Sequence, residues 1–340
     1  MRRPVIFSLM CACLAFAAHA TETLRVLAWP GYADADLVQT FEKQFDVKVE
    51  LTLVGSDEVL AQKLGANQGT DFDVVAANTV EIQRYISRKW LQPLTMANVP
   101  NVARQLPRFR NAKAIPGITH LGEVYAVPYT FSEMALIYDR KQFKVPPTSL
   151  AVLWDPAYQG RILAFDGGSH NYSMASLAFG GHPFQIDDAA YPGVTKRLID
   201  LRRNVLTFYS LPEESVGLFW QHNVALLFAN YGQQQLKMLR DSGADVGYVV
   251  PKEGTLAWLD CWAMTRGTKN KGLAERWINY MLEPKVSAEL TRRQGLANTL
   301  EPTANTLETD KILWLEPVEN GQRRAGLWSR ILSGDRPARF

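Results

Sequence analysis

An acidic side chain lies between two tryptophans in a pattern that could hold an organic cation. Within residues 247–265, GYVVPKEGTLAWLDCWAMT, alternation along a strand directs Trp258, Asp260 and Trp262 to one face. The opposite face takes three smaller residues: Leu259, Cys261 and Ala263. A carboxylate accepts charge-assisted hydrogen bonds, and an indole face attracts a cation through its quadrupole. The pattern also suits a core strand with packing tryptophans and an edge aspartate, so this stretch alone leaves both interpretations open.

The first twenty residues have the features of a secretory signal peptide. Arg2 and Arg3 form a basic start, and residues 5–18 form an apolar run too short to span a bilayer comfortably. Residues 18–20, Ala-His-Ala, match a small-x-small cleavage site. We therefore predict a signal peptide over residues 1–20 and a soluble protein exported to the periplasm.

Charge and cysteine content narrow the class of the mature chain. Removing residues 1–20 takes two arginines from the 37 Lys+Arg and none of the 34 Asp+Glu, which leaves a net charge of +1. That balance argues against nucleic acid as a partner and against general attraction to anionic membranes. Cys11 and Cys13 lie in the predicted signal, too early for a lipoprotein cysteine. Cys261 alone remains, so the fold must rely on its core rather than on a disulfide.

The elements that position the acidic stretch follow an alternating order. Short apolar or alternating runs at residues 24–29, 47–54 and 73–77 are typical of strands, and each precedes a helical pattern. Ser56 and Asn78 are candidate N-caps of the second and third helices. This order predicts a mostly parallel sheet with right-handed crossovers, in which ligands gather beyond the carboxyl ends of the strands.

A second α/β unit follows. Strands are predicted over residues 161–165 and 224–228, with helices over residues 171–179, 191–203 and 213–221. The chain is expected to pass between the two units near residues 127–134 and 250–262. The fold class is therefore α/β with two lobes, and a cleft between lobes is a common ligand site.

Five segments resemble the periplasmic solute-binding proteins of ABC importers, and within them the polyamine-binding branch of spermidine and putrescine receptors. The segments are LRVLAWPGY (24–32), DFDVVAANTVEI (71–82), YAVPYTFSEMALIYD (125–139), NVALLFAN (223–230) and VVPKEGTLAWLDCWAM (249–264). The resemblance implies a type II periplasmic binding protein whose hinged lobes close on a solute. Lobe 1 would comprise residues 21–130 plus about 260–308, and lobe 2 residues about 131–259 plus 309–340.

The resemblance also implies roles for individual residues. Trp29 and Tyr32 match an aromatic wall, and Asn78 matches a polar contact that is usually serine. Trp258 matches an aromatic over the alkyl stem of the ligand, and Asp260 matches the carboxylate that holds an amine. Phe228 matches a tryptophan on a strand of the second lobe and is a candidate ligand contact, although aromatics on buried strands are usually core residues. Tyr231 and Trp262 are more typical of core packing.

Several positions depart from the family pattern. Pro30 and Gly31 stand where polar and acidic residues are usual, and Val80 replaces a tyrosine. The acidic pair of spermidine receptors is largely missing, since Asp166 precedes the matching position and His170 lies near the second one. Because an unpaired buried charge costs roughly several kcal/mol, a polyamine needs another acceptor.

Glu133 or Asp166 could supply that acceptor, and the sequence does not locate either side chain. A monocation, an amino acid or a polyamine held by different groups therefore stays open as the ligand. His170 is retained as a candidate ligand contact.

The sequence lacks the patterns of common catalytic and metal sites. The histidines have no HxxxH or HExxH spacing, and GxSxG, GxGxxG and phosphate-loop motifs do not occur. We expect no enzyme activity, no cofactor and no metal.

The resulting hypothesis is a monomeric periplasmic receptor for a small cationic solute, most simply a polyamine, that delivers it to an ABC permease. Two alternatives remain at this stage: a sensor subunit that docks on a membrane signalling protein, and a receptor for an amino-acid-like or anionic solute. Neighbouring genes for a permease or for a signalling protein would separate transport from sensing.

Overall fold

The computed structural model describes residues 21–302 and 311–334. The predicted signal peptide over residues 1–20 lies outside the described residues. The strands are β1 Glu22–Ala28, β2 Val47–Leu53, β3 Val74–Asn78, β4 Leu91–Gln92, β5 Thr119–His120, β6 Glu123–Val124, β7 Ala126–Glu133, β8 Leu136–Asp139, β9 Ile162–Phe165, β10 Thr207–Tyr209, β11 Leu226–Phe228, β12 Val246–Val249, β13 Thr255–Thr265, β14 Ala297–Asn298 and β15 Ile312–Trp314.

Helices connect most of these strands. They are α1 Ala35–Phe45, α2 Asp57–Ala66, α3 Thr79–Ser87, α4 Pro107–Arg110, α5 Gly168–Ala178, α6 Tyr191–Asn204, α7 Pro212–Gln221, α8 Gly232–Asp241, α9 Lys271–Met281, α10 Pro284–Gln294 and α11 Gly321–Ser333. In this part of the chain no helix is long and apolar enough to cross a membrane.

The first sheet has the order β14-β7-β13-β3-β1-β2, with β4 and β15 also paired to β13. β1 pairs in parallel with β2 and β3, as the strand–helix alternation predicts. β13, however, runs antiparallel to both β3 and β7. The expectation of a mostly parallel sheet is thus wrong for the sheet as a whole, because β13 enters this sheet from the other lobe in the reverse direction.

The second sheet has the order β10-β9-β11-β8-β12. β9 pairs in parallel with β10 and β11, whereas β8 pairs antiparallel with β11 and β12. The parallel strands β9 and β11 therefore end at the same edge of this sheet, where Phe228 ends β11 and His170 lies in the first turn of α5, after β9.

The chain passes between the sheets along extended strands. It leaves the first sheet between β7 and β8, at the end of the region predicted for that crossing, and returns between β12 and β13, within the second predicted region. It passes to the second lobe again after β15, because α11 packs against α5 and α6. The lobe boundary proposed at residues 130/131 falls within β7, and the one proposed at residues 259/260 falls within β13. Both boundaries stay predictions.

β13 separates two hydrophobic clusters. Trp258 and Trp262 belong to one cluster, and the residues of the opposite face, Leu259, Cys261 and Ala263, belong to the other. The alternation predicted for this stretch is confirmed, although residues 247–265 form two strands, β12 and β13, rather than one. Because all of β13 is buried, Asp260 is placed in a largely apolar environment.

Candidate functional site

A tight turn after β1 brings two aromatic residues together. The backbone N–H of Tyr32 donates to the carbonyl of Trp29 at 3.2 Å, and Gly31 has φ +82°. Proline at the second position and a positive φ at the third define a type II turn. The Pro30-Gly31 pair that departs from the family pattern therefore sets how Trp29 and Tyr32 enter the site.

A bulge in β7 places Tyr129 against this turn. Asp260 lies opposite Thr130, whereas the next residue of β13 lies opposite Pro128, which leaves Tyr129 as the extra residue. Proline cannot donate a ladder hydrogen bond, and bulges redirect side chains. The Tyr129 hydroxyl donates to the Tyr32 carbonyl at 3.0 Å, and the two rings meet edge to face at 5.6 Å. The bulge thus fixes the backbone of Tyr32.

Asp260 is a buried carboxylate with one strong hydrogen bond. Its side chain accepts from the Tyr32 hydroxyl at 2.6 Å, and the residue is 6% exposed. Within residues 21–302 and 311–334, no lysine, arginine or histidine forms an ion pair with it. Burial raises the pKa of Asp260 to about 7, although the Tyr32 hydroxyl acts in the opposite direction. A negative charge here needs a partner that the described side chains do not provide.

Asn78, which lies opposite Asp260 in the β3–β13 pair, bonds a second carboxylate. Its Oδ1 accepts from the backbone N–H groups of Val80 and Glu81, so it caps α3 as predicted. Its Nδ2 donates to Oδ1 of Asp57, the first residue of α2, at 3.1 Å. Burial raises the pKa of Asp57 well above its ordinary value, and the nearby charges of Glu81 and Asp260 raise it further.

The loop after β11 forms the facing wall from the second lobe. The Trp258 indole N–H donates to the Asn230 carbonyl at 2.9 Å, so a strand of the first sheet touches a loop of the second lobe. Burial raises the pKa of the neighbouring Tyr231 well above its ordinary value, and the charges of Asp57 and Asp260 contribute. The Tyr231 phenol therefore lies near both carboxylates and is neutral.

Phe228 and His170, the predicted ligand contacts of the second lobe, both pack against other residues of the protein. Phe228 is 1% exposed within a hydrophobic cluster, and its carbonyl accepts from the Tyr209 hydroxyl at 2.9 Å. His170 meets the ring of Phe165 edge to face at 5.5 Å. Burial lowers the pKa of His170 to about 4, and Glu58 of α2 is the charge that opposes this shift. His170 is therefore a neutral residue on the wall that faces α2.

Neither of the two suggested second acceptors joins Asp260. Asp166 is exposed and accepts from the Trp328 indole N–H at 2.7 Å, within the second lobe. Glu133 pairs with Ala257 of β13, whose side chain points to the face opposite that of Asp260. Its carboxyl lies 3.5 Å from the Tyr248 hydroxyl, where β7 leaves the first sheet. The second carboxylate near Asp260 is Asp57 instead.

Comparison with known proteins identifies the family to which this chain belongs. The model for bacterial extracellular solute-binding proteins matches residues 36–312. This chain belongs to that family. Within the described part of this solute-binding protein, no cluster of three or more histidine, cysteine or acidic residues could hold a metal ion.

Individual relatives extend over most of this solute-binding protein. It is 26% identical over 313 residues to spermidine/putrescine-binding periplasmic protein 1 of Haemophilus influenzae, covering 89% of this chain and 81% of the relative. It is 25% identical over 332 residues to the spermidine/putrescine-binding periplasmic protein of Escherichia coli, covering 90% and 88%. A solved structure from Listeria monocytogenes, described as a spermidine/putrescine ABC transporter, superimposes with a TM-score of 0.79 at 22% identity, covering 92% and 98%. The likeness in structure establishes the two-lobed fold.

Sequence reasoning missed Asp57 in this solute-binding protein. Its neighbour Ser56 was predicted to cap α2, and the Ser56 side chain does accept from the Val59 backbone N–H. A cap at that position places the next residue in the first helical turn, beyond the carboxyl end of β2. An acidic residue at that edge of the sheet was the available signal.

Proposed function

We propose that this solute-binding protein is a periplasmic receptor for a small organic cation, an amine or polyamine, which it delivers to an ABC permease. The observation that carries the proposal is the buried Asp260 carboxylate, which has a hydroxyl partner but no described cationic one. A buried charge without a counter-charge costs several kcal/mol, roughly. A cationic solute would remove that cost on binding, whereas an anionic solute would increase it.

Aromatic residues around the carboxylate support the same class of ligand. Tyr32 contacts Asp260 directly, Trp258 precedes Asp260 on the same face of β13, and Trp29 lies at the other end of the turn from Tyr32. Attraction between a cation and a ring face contributes about 0.5–2 kcal/mol per contact, so several such contacts are needed for micromolar affinity. We propose that Trp29, Tyr32, Asn78, Trp258 and Asp260 contact the ligand, with Phe228 and His170 on the opposite wall.

The printed names of the relatives support a polyamine and an importer. Two relatives that match most of this chain are spermidine/putrescine-binding periplasmic proteins. These relatives are 26% and 25% identical to this chain. On that basis we propose that this protein binds the same class of ligand. We propose a monomeric carrier without catalytic activity, located in the periplasm.

A thermal-shift screen tests this proposal. The mature protein would be unfolded and refolded to strip bound solute, then heated with putrescine, cadaverine, spermidine, spermine, agmatine, choline, γ-aminobutyrate and basic amino acids. A ligand that binds only the folded state adds about 2.7 kcal/mol of stability at a hundredfold excess over Kd. We expect a large shift with at least one amine. A screen in which no amine shifts the transition would overturn the proposal.

A further inference from the structure

Two carboxylates flank one amide at the same end of the cleft. Asp260 and Asn78 are directly opposite residues of the antiparallel pair β13–β3, so their side chains point to the same face. The Asn78 amide in turn donates to Asp57 at 3.1 Å. Directly opposite residues have Cβ atoms about 5 Å apart. Asp57, which is bonded to Asn78, and Asp260, which lies opposite Asn78, are therefore near the same side chain, and the charge of Asp260 acts on Asp57.

The second lobe adds an unpaired acceptor. Asn230 is 7% exposed, and its side-chain Oδ1 has no hydrogen-bond partner among the residues that the structure describes. Its backbone is fixed, because its N–H donates to the Tyr209 hydroxyl and its carbonyl accepts from the Trp258 indole. The charges of both Asp57 and Asp260 raise the pKa of the next residue, Tyr231. A buried oxygen without a donor costs about 1–3 kcal/mol, which a ligand N–H would recover.

We infer that Asp57, Asp260 and the Asn230 side-chain oxygen form a seat for one primary ammonium group. This inference rests on the proposed function and adds the chemistry of the ligand's head group. Two acceptors come from the first lobe and the third from the second, so one ammonium would join the lobes. Asn78, proposed above as a ligand contact, also orients the Asp57 carboxylate through its amide.

The number of acceptors sets the selectivity. A primary ammonium carries three N–H donors, one for each acceptor group. Each N-methylation removes one donor and adds a methyl group where the seat is polar. A trimethylammonium group has no donor and leaves all three acceptors unpaired. The seat therefore favours primary amines over their N-methylated analogues of equal charge and chain length.

The first experiment compares matched ligands by calorimetric titration of the stripped wild-type protein. The pair is putrescine and N,N,N′,N′-tetramethylputrescine, which have the same charge and backbone. We expect methylation to weaken binding by roughly 100-fold or more, since two hydrogen bonds from a charged donor are lost at the seat. Equal affinity for both amines would overturn the inference while leaving the cation receptor intact. Failure of every amine to bind would overturn the proposed function itself.

The second experiment compares two substitutions of adjacent residues on α2. Asp57→Asn removes the charge from the seat, and Glu58→Gln removes the same charge from an exposed position as the matched control. We expect Asp57→Asn to weaken putrescine binding roughly 10- to 100-fold and Glu58→Gln to change it by less than about threefold. Equal effects of the two variants would overturn a direct role of Asp57.

A stability measurement excludes a purely structural role for Asp57. Since Asp57→Asn removes a charge that burial disfavours, the ligand-free variant should unfold at the same temperature as wild type or higher. A less stable variant with unchanged putrescine affinity would overturn the inference. Asn230→Ala supplies the corresponding test in the second lobe. It should weaken putrescine binding about fivefold or more, and unchanged affinity would remove Asn230 from the seat.

Discussion

The Tyr32 hydroxyl donates to the Asp260 carboxylate at 2.6 Å, which joins the loop after β1 to the middle of β13. Burial and the Asp260 charge together hold the pKa of Tyr32 well above its ordinary value, so the phenol keeps its proton. The hydroxyl therefore orients the carboxylate and favours its ionised form. A cation that enters the site would meet an oriented negative charge.

Replacing Tyr32 by phenylalanine should weaken binding of a cationic ligand by about tenfold or more at pH 7. The variant removes a hydrogen bond to a charged acceptor, which is worth about 1.5–3 kcal/mol. Without this bond the pKa of Asp260 should rise further, so the pH at which binding is half-maximal should also rise. Calorimetric titrations between pH 6 and 9 measure both changes.

Tyr129→Phe is the matched control, because the Tyr129 hydroxyl bonds a backbone carbonyl rather than the carboxylate. Its effect on affinity should be smaller, with an unchanged pH midpoint. Equal losses in the two variants would show that the Tyr32 hydroxyl has no special role at Asp260.

The stability of the ligand-free protein should depend on pH through Asp260. Its pKa is about 7 in the folded protein and 3.8 ordinarily, so the folded state binds more protons between these values. The stability that proton uptake provides is fully present below about pH 4 and is lost as the pH rises through 7. The free-energy difference is on the order of 4 kcal/mol. Denaturant unfolding of wild type and Asp260→Asn at several pH values measures it.

Asp260→Asn should flatten this dependence and stabilise the ligand-free protein by about 2 kcal/mol at pH 8, because a neutral amide replaces a buried charge. Asp166→Asn is the matched control, since Asp166 is exposed and bonded to Trp328. It should not stabilise the ligand-free protein at pH 8. A destabilised Asp260→Asn variant at pH 8 would show that Asp260 has a structural partner.

Substitutions at Asn78 should separate helix capping from ligand binding. Asn78→Ala removes the cap of α3 and should cost about 1 kcal/mol of folding free energy. Asn78→Ser keeps a capping oxygen but has no amide to donate to Asp57. We expect Asn78→Ser to retain wild-type stability while lowering cation affinity several-fold. Denaturant unfolding and calorimetry measure the two quantities, and an Asn78→Ser variant with wild-type affinity would contradict the link to Asp57.

His170 should stay neutral throughout the range from pH 5 to 8. Burial holds its pKa at about 4, below the ordinary 6.5, so the unfolded state binds more protons between these values. The stability that this neutral residue contributes is present above about pH 6.5 and is lost as the pH falls towards 4. NMR of the imidazole carbons reports the titration. A signal that titrates near pH 6.5 and disappears in His170→Gln would contradict this account.

Local patterns in the sequence predicted the features that depend on near neighbours. Alternation identified the two faces of β13, and the caps at Ser56 and Asn78 follow from residue type at a strand-to-helix junction. The resemblance to polyamine receptors singled out Asp260 and the aromatic pair around Pro30-Gly31. These features depend on contacts within a few residues, or on motifs short enough to quote.

The features that depend on distant pairing could not be read in the same way. The insertion of β13 between β3 and β7 is a non-local choice, and it alone places Asp260 beside Asn78. Asp57 becomes part of the site only through that placement. Glu133 and Asp166 were plausible from their positions in the chain, but the direction of the β7 side chains and the Trp328 contact keep them away from Asp260.

The measurement that tests the central claim most directly is calorimetric titration of stripped wild-type protein and Asp260→Asn with putrescine and spermidine at pH 8. The account predicts micromolar or tighter binding of at least one amine to the wild type. It also predicts a loss of roughly 100-fold or more in Asp260→Asn, although that variant folds at least as stably. Equal amine affinity in the two proteins would contradict the role of Asp260 as the carboxylate that holds the cation.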